Sequence, residues 1–143
     1  MRIAVIQLAY GDDESFEART DRVAGLVAAH SGHDLVVLPE LWGATGFDYT
    51  RWAGQAQPLD GPWARAMADA ARAAGVVLHA GSFVERLPES GVDGHDLANT
   101  SLLYSADGRA RGSAGRSRSR APPGRARCRQ GPPRPRAPPP STP

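Results

Sequence analysis

Glu40 is the residue in this sequence best placed to do chemistry. It directly follows the run Asp34-Leu35-Val36-Val37-Leu38-Pro39. A carboxylate just past the carboxyl end of a buried strand stands where open α/β sheets bind their ligands. Pro39 on one side and Leu41-Trp42 on the other would partly shield it from water and make it a better general base. On composition alone, an exposed loop acid at a strand end is the favoured reading. The other reactive side chains are sparse. Cys128, the single cysteine, lies in Ala126-Arg127-Cys128-Arg129-Gln130. The arginines there favour a thiolate, but the segment has no apolar run to form a strand and no surrounding oxyanion donors. All 17 basic residues are arginine, so no lysine exists for any mechanism to use. His30 and His33 sit at a predicted helix end and read as end packing and dipole complementarity rather than as metal ligands. His79 reads as a core histidine on an apolar strand, and His95-Asp96 as a solvated loop pair. No Gly-x-Ser-x-Gly elbow, phosphate loop or dinucleotide fingerprint is present. The sequence implies no cofactor and no metal, and one cysteine excludes an internal disulfide framework.

The elements that must position Glu40 follow from periodicity. Ile3–Leu8 is apolar at successive positions, which predicts a strand covered on both faces. Asp12, Asp13, Glu14 and Ser15 cap a helix whose stripe is Phe16, Thr20, Val23, Val27 and His30, stopped near Gly32. Residues 34–38 form a second buried strand. Trp42, Gly43, Gly46, Phe47, Tyr49 and Trp52 populate a loop. Asp60-Gly61-Pro62 opens a second helix with stripe Trp63, Met67, Ala70, Ala71 and Ala74, ended by Gly75. Val76–Val84 and Asn99–Ser105 are further strands, and Ala106-Asp107-Gly108-Arg109 is a hairpin turn. The order β-α-β-α-β-β is that of an α/β layered fold.

The formal charge of +2 hides a division. Residues 1–108 sum to −8, whereas 109–143 sum to +10 with no acid. The later segment is Arg, Pro, Gly, Ala and Ser with no large apolar residue. It cannot bury enough surface to offset the ordering of its backbone, about 1–2 kcal/mol per residue, so it reads as a disordered tail unable to serve as a strand partner. The near-neutral sum excludes a uniformly basic nucleic-acid-binding domain. The Ser-Arg repeat at 117–120 would support only weak, salt-sensitive contact with nucleic acid. The short run after Arg2 lacks a cleavage site and no stretch reaches membrane-spanning length. The expectation is a cytoplasmic protein without a membrane partner.

Asp34-Leu-Val-Val-Leu-Pro-Glu40-Leu-Trp42 resembles the glutamate motif of the carbon–nitrogen hydrolase (nitrilase) superfamily. The opening strand Met1–Leu8, the Gly46-Phe47 pair, Pro58–Pro62, the strand Ala80–Glu85 and the segment Asn99–Tyr104 with Asp107-Gly108 follow in the family's order. The likeness runs from Met1 to about Gly112 and is greatest to omega-amidase-like and aliphatic-amidase-like members. It implies an α-β-β-α sandwich, of which this chain would hold the N-terminal part. It also implies a Glu–Lys–Cys triad that cleaves a small amide or nitrile through a thioester. Glu40 matches the general base, Asn99 a structural contact, and Trp42 and Phe47 the pocket walls. The lysine should follow the Asp107-Gly108 turn, where this chain reads Arg111-Gly-Ser-Ala-Gly-Arg-Ser-Arg118. Cys128 lies in the Arg/Pro-rich stretch and not in the strand-to-helix setting the family implies for its nucleophile.

The sequence thus predicts an α/β fold in two parts. Residues 1–112 are the N-terminal part of a carbon–nitrogen hydrolase domain, and 113–143 an Arg/Pro-rich disordered tail. The tail's composition, that of GC-rich codons, is also that of out-of-frame sequence. The expected function is an amidase- or nitrilase-type hydrolase by descent, inactive as written for want of two triad residues. Its partner would be a small amide or nitrile, with no specific nucleic acid, and the family tends to form homodimers. An arginine-tail nucleic-acid-binding protein and a non-catalytic interaction module stand as alternatives. Unpaired edges and exposed apolar faces would favour aggregation or proteolysis.

Overall fold

A computed structural model of the chain describes residues 1–9, 11, 13–44, 48–90 and 94–117. In chain order the elements are β1 (Ile3–Val5), α1 (Phe16–Ala28), β2 (Leu35–Val37), α2 (Tyr49–Gln55), α3 (Pro62–Ala74), β3 (Val77–Arg86), β4 (Leu97–Tyr104) and β5 (Ala110–Ser117). The strands form one mixed sheet in the order β1-β2-β3-β4-β5. β1, β2 and β3 are parallel, while β4 and β5 return antiparallel.

The helix ends obey local chemistry. Ser15 caps α1 by accepting the Ala18 N–H at 3.1 Å. α3 opens with Pro62 in its first turn and closes on Gly75, whose φ of 66° is the left-handed cap conformation. The two crossovers lay α1 and α3 side by side on one face of the sheet, as crossovers of one hand must. The predicted stripes meet there. Val23 and Val27 from α1 and Trp63, Met67, Ala70, Ala71 and Ala74 from α3 are buried against Val36, Leu38, Leu78, Ala80, Phe83, Leu102 and Tyr104. Trp63 stacks on Phe83 at a centroid distance of 4.6 Å, and Trp42 tilts against Trp63 at 5.6 Å.

Three expectations change. The loop around Tyr49 and Trp52 contains a helix, α2, capped by Asp48 accepting from Thr50 N–H and packed near β3 rather than in the main core. Strand pairing does not end at Gly112. The register runs on through Leu102↔Ser113 to Ala98↔Ser117, so the first residues assigned to the tail are a strand partner of β4. A hairpin turn and a long β4 supply that ladder whatever the side chains. Finally, among the described residues β1 is not covered on both faces. It is an edge strand, with Ile3 48% and Val5 76% exposed on the face away from the helices. No described helix is long and apolar enough to cross a membrane.

Candidate active site

Four neighbouring segments build the surroundings of Glu40: the end of β2, the bulged middle of β3, the centre of β4 and β5. They enclose a concavity of about 350 Å³ on the sheet face opposite α1 and α3, lined by Glu40, His79, Gly81, Ser82, Asn99, Ser101 and Ala114. Asn99 Nδ2 donates to Glu40 Oε1 at 2.6 Å, bridging 59 residues of sequence. The carboxylate is therefore both oriented and open on the concave side. The shielding expected from Pro39 and Leu41-Trp42 is not found: Glu40 is exposed, because Leu41 and Trp42 turn inward.

That inward turn depends on an unusual backbone. Leu41 has φ of 51°, a left-handed conformation that costs a residue with a side chain about 1–2 kcal/mol. Its N–H is held by Ser82 Oγ at 3.1 Å, and Ala44 N–H closes the turn on Leu41 O at 3.2 Å. β3 approaches closely through Gly81, whose φ is 70° and whose hydrogen faces Pro39. A Cβ at Gly81 would overlap the Pro39 carbonyl oxygen, so only glycine lets β3 lie against the residue before Glu40. The pairing of β3 with β4 shifts between His79 and Ser82 at the same point, a bulge that re-aims Ser82.

The expected site residues scatter. Trp42 is fully buried behind the site. Its indole N–H donates to Ala80 O at 2.9 Å, and it lines the core rather than the concavity. Phe47 lies outside the described residues, as does Cys128. Asn99 is the contact expected, and it touches the carboxylate itself. His79, expected in the core, lines the concavity half-buried. Its Nδ1 accepts the Gly81 N–H at 3.3 Å. His30 and His33 are helix-end residues as expected, their Nδ1–H groups donating to Leu26 O and His30 O at 2.7 and 3.0 Å. Among the described residues no group of three or more His, Cys, Asp or Glu could hold a metal.

Sequence reasoning missed Ser82, Gly81 and Ser101. A Gly-Ser pair inside an apolar strand was the available signal, since an isolated strand glycine marks a bulge or close approach. On β5, where a lysine is expected by resemblance, the register sets Ala114 opposite Ser101 and Arg116 opposite Asn99. A carboxylate fixed by an amide donor at the carboxyl end of parallel strands can accept a proton, and it faces a space large enough for a small polar ligand. A second carboxylate, Glu85, is buried on the helix side and accepts from Thr100 Oγ1 at 2.5 Å, away from this space.

Comparisons with known proteins converge. The family model for carbon-nitrogen hydrolase matches residues 2–136, farther along the chain than the motifs themselves reach. A 2-oxoglutaramate amidase from Paenarthrobacter nicotinovorans is 35% identical over 109 residues, covering 76% of this chain and 36% of that protein. Among solved structures, a CN-hydrolase superfamily protein from Xanthomonas campestris superposes with a TM-score of 0.62 at 25% identity, over 76% of this chain and 38% of its own. An amidase from Nesterenkonia sp. gives 0.63 at 22% identity, over 85% of this chain and 44% of its own. At that identity the second likeness is one of fold. The chain thus spans little more than a third of the amidase relative's length.

Proposed function

The chain belongs to the carbon–nitrogen hydrolase family, and from that premise we propose that its Glu40 concavity is the general-base portion of an amidase-type site. The observation that carries this reading is the 2.6 Å hydrogen bond from Asn99 to Glu40, which fixes one carboxylate oxygen of a residue that lines the concavity. In an intact site of this kind the carboxylate accepts the thiol proton. The thiolate then attacks the carbonyl carbon, and the C–N bond breaks as the amine leaves with a proton. Water, deprotonated by the same carboxylate, hydrolyses the thioester. A lysine would stabilise the oxyanion.

Only the first of these parts is supplied here. The sequence has no lysine, and arginine's planar fork presents its charge differently. Cys128 sits in an Arg/Pro-rich stretch whose sequence offers no apolar run for the strand that precedes such a nucleophile. When residues act as a catalytic unit, removing one costs orders of magnitude in rate. The 143-residue chain is therefore a binding-competent but non-hydrolysing member. Its ligand class is a small primary amide, by likeness to the 2-oxoglutaramate amidase. The residues beyond 112 read as out-of-frame sequence, and the gene's other two frames should then encode a lysine after the Asp107-Gly108 turn and a downstream Gly-x-x-x-Cys.

Binding tests the reading separately from turnover. Titrating the full chain with acetamide should shift the Asn99 side-chain amide resonances saturably. Glu40→Gln should abolish that shift without unfolding the chain. An unchanged titration in the variant contradicts the assignment.

A further inference from the structure

We infer that Arg19 is the positioning residue for Glu40, acting through the turn 41–44; this rests on the reading of Glu40 as the base of the site. Arg19 is an arginine with no exposed surface at all, on α1, a helix that contributes nothing to the concavity. Its guanidinium spans two parts of the chain. On one side Nε donates to Glu14 Oε2 at 3.0 Å, and the second terminal nitrogen to Gly11 O and Glu14 O at 2.9 and 3.1 Å. On the other, the first terminal nitrogen points at the carbonyls of Trp42 and Gly43 at 3.4 and 3.3 Å. These are the second and third residues after Glu40.

The turn needs such an anchor. Leu41 is held in the left-handed region, and strained backbone persists only where its surroundings over-determine it. Ser82 fixes the turn's N–H side through Leu41, and the guanidinium meets its carbonyl side. Gly43 is walled by Phe16 and Trp63, each 3.2 Å from where a Cβ would stand, so the turn has little room to settle elsewhere. Releasing the carbonyls frees Leu41 to relax, and Glu40, one residue before it, then swings away from Asn99. A lysine cannot replace this fork, because one ammonium on a single stem cannot face Glu14 and both carbonyls together.

The Asn99 side-chain amide resonance reads the contact. In the full wild-type chain the Nδ2 proton facing Glu40 should lie downfield of its position in Glu40→Gln. If those two are alike, the Glu40 reading itself fails. If they differ, Arg19→Lys should lose most of the downfield displacement while the chain stays folded. Val27→Ala, which loosens the same helix without touching the turn, should keep it. Retention of the displacement in Arg19→Lys overturns the inference, and so does its equal loss in Val27→Ala. Should Arg19→Lys not fold, Glu14→Ala removes the carboxylate that orients the guanidinium. Partial loss of the displacement there supports the inference, and an unaltered resonance overturns it.

Discussion

At the scale of single residues, the Glu40 motif could be read in the sequence because a strand, a proline and a carboxylate are local. Its partners could not, since Asn99 and Ser82 arrive by strand register. Arg19 was hidden for another reason: a charged residue one position off an apolar stripe looks solvated until the carbonyls that desolvate it are placed. Gly81 makes the most distinctive residue-scale prediction. Gly81 and Gly75 both have positive φ, yet a Cβ meets backbone only at Gly81. Urea denaturation should show Gly75→Ala costing about 1 kcal/mol, the conformational cost alone. Gly81→Ala should exceed that by at least about 2 kcal/mol, the scale of overpacking. Equal losses would mean that the close approach of β3 to Pro39 is wrong.

Elements follow the apolar periods closely where burial is one-sided. The stripes of α1 and α3 are the core, whereas α2 was missed because its seven residues bury no complete side chain and carry no stripe. The contacts that secure element ends titrate. Glu14, at the start of α1, is hydrogen-bonded first by Arg22 and also by Arg19, which hold its carboxyl down at about 2. A lowered carboxyl favours the folded state above the ordinary glutamate range, and that contribution is lost as pH falls from about 4.5 towards 2. Glu14→Gln should therefore flatten the acid limb of a stability–pH profile in that window; an unchanged limb contradicts the contact. At the alkaline side, burial pushes the Tyr104 hydroxyl up to about 12, with its O–H donated to Ala64 O at 2.9 Å. The folded state keeps that proton longer than the unfolded state, so stability falls as pH rises from about 10 towards 12. Tyr104→Phe should lose this alkaline dependence. Persistence of the dependence in the variant would place its origin elsewhere.

For the whole molecule, α1 and α3 cover one face of the sheet, while the other face is covered by α2 at Val84 and Leu97 and exposed at β1. The sequence of β1, apolar on both sides, anticipates a covered strand, but Ile3 and Val5 face outward in this chain. An exposed apolar sheet face with an unpaired edge promotes association. Val5→Lys should lower concentration-dependent light scattering and leave the urea midpoint nearly unchanged, since that side chain is 76% exposed. Undiminished scattering would show that association runs through another surface. Function belongs to the same scale: the fold presents the Glu40 carboxylate to a concavity, and the 143-residue sequence holds no lysine. Ammonia release from a panel of small primary amides, 2-oxoglutaramate included, is the most direct measurement. The purified chain should release no more ammonia than a protein-free blank. Turnover above that blank, abolished by Glu40→Gln, would contradict the account.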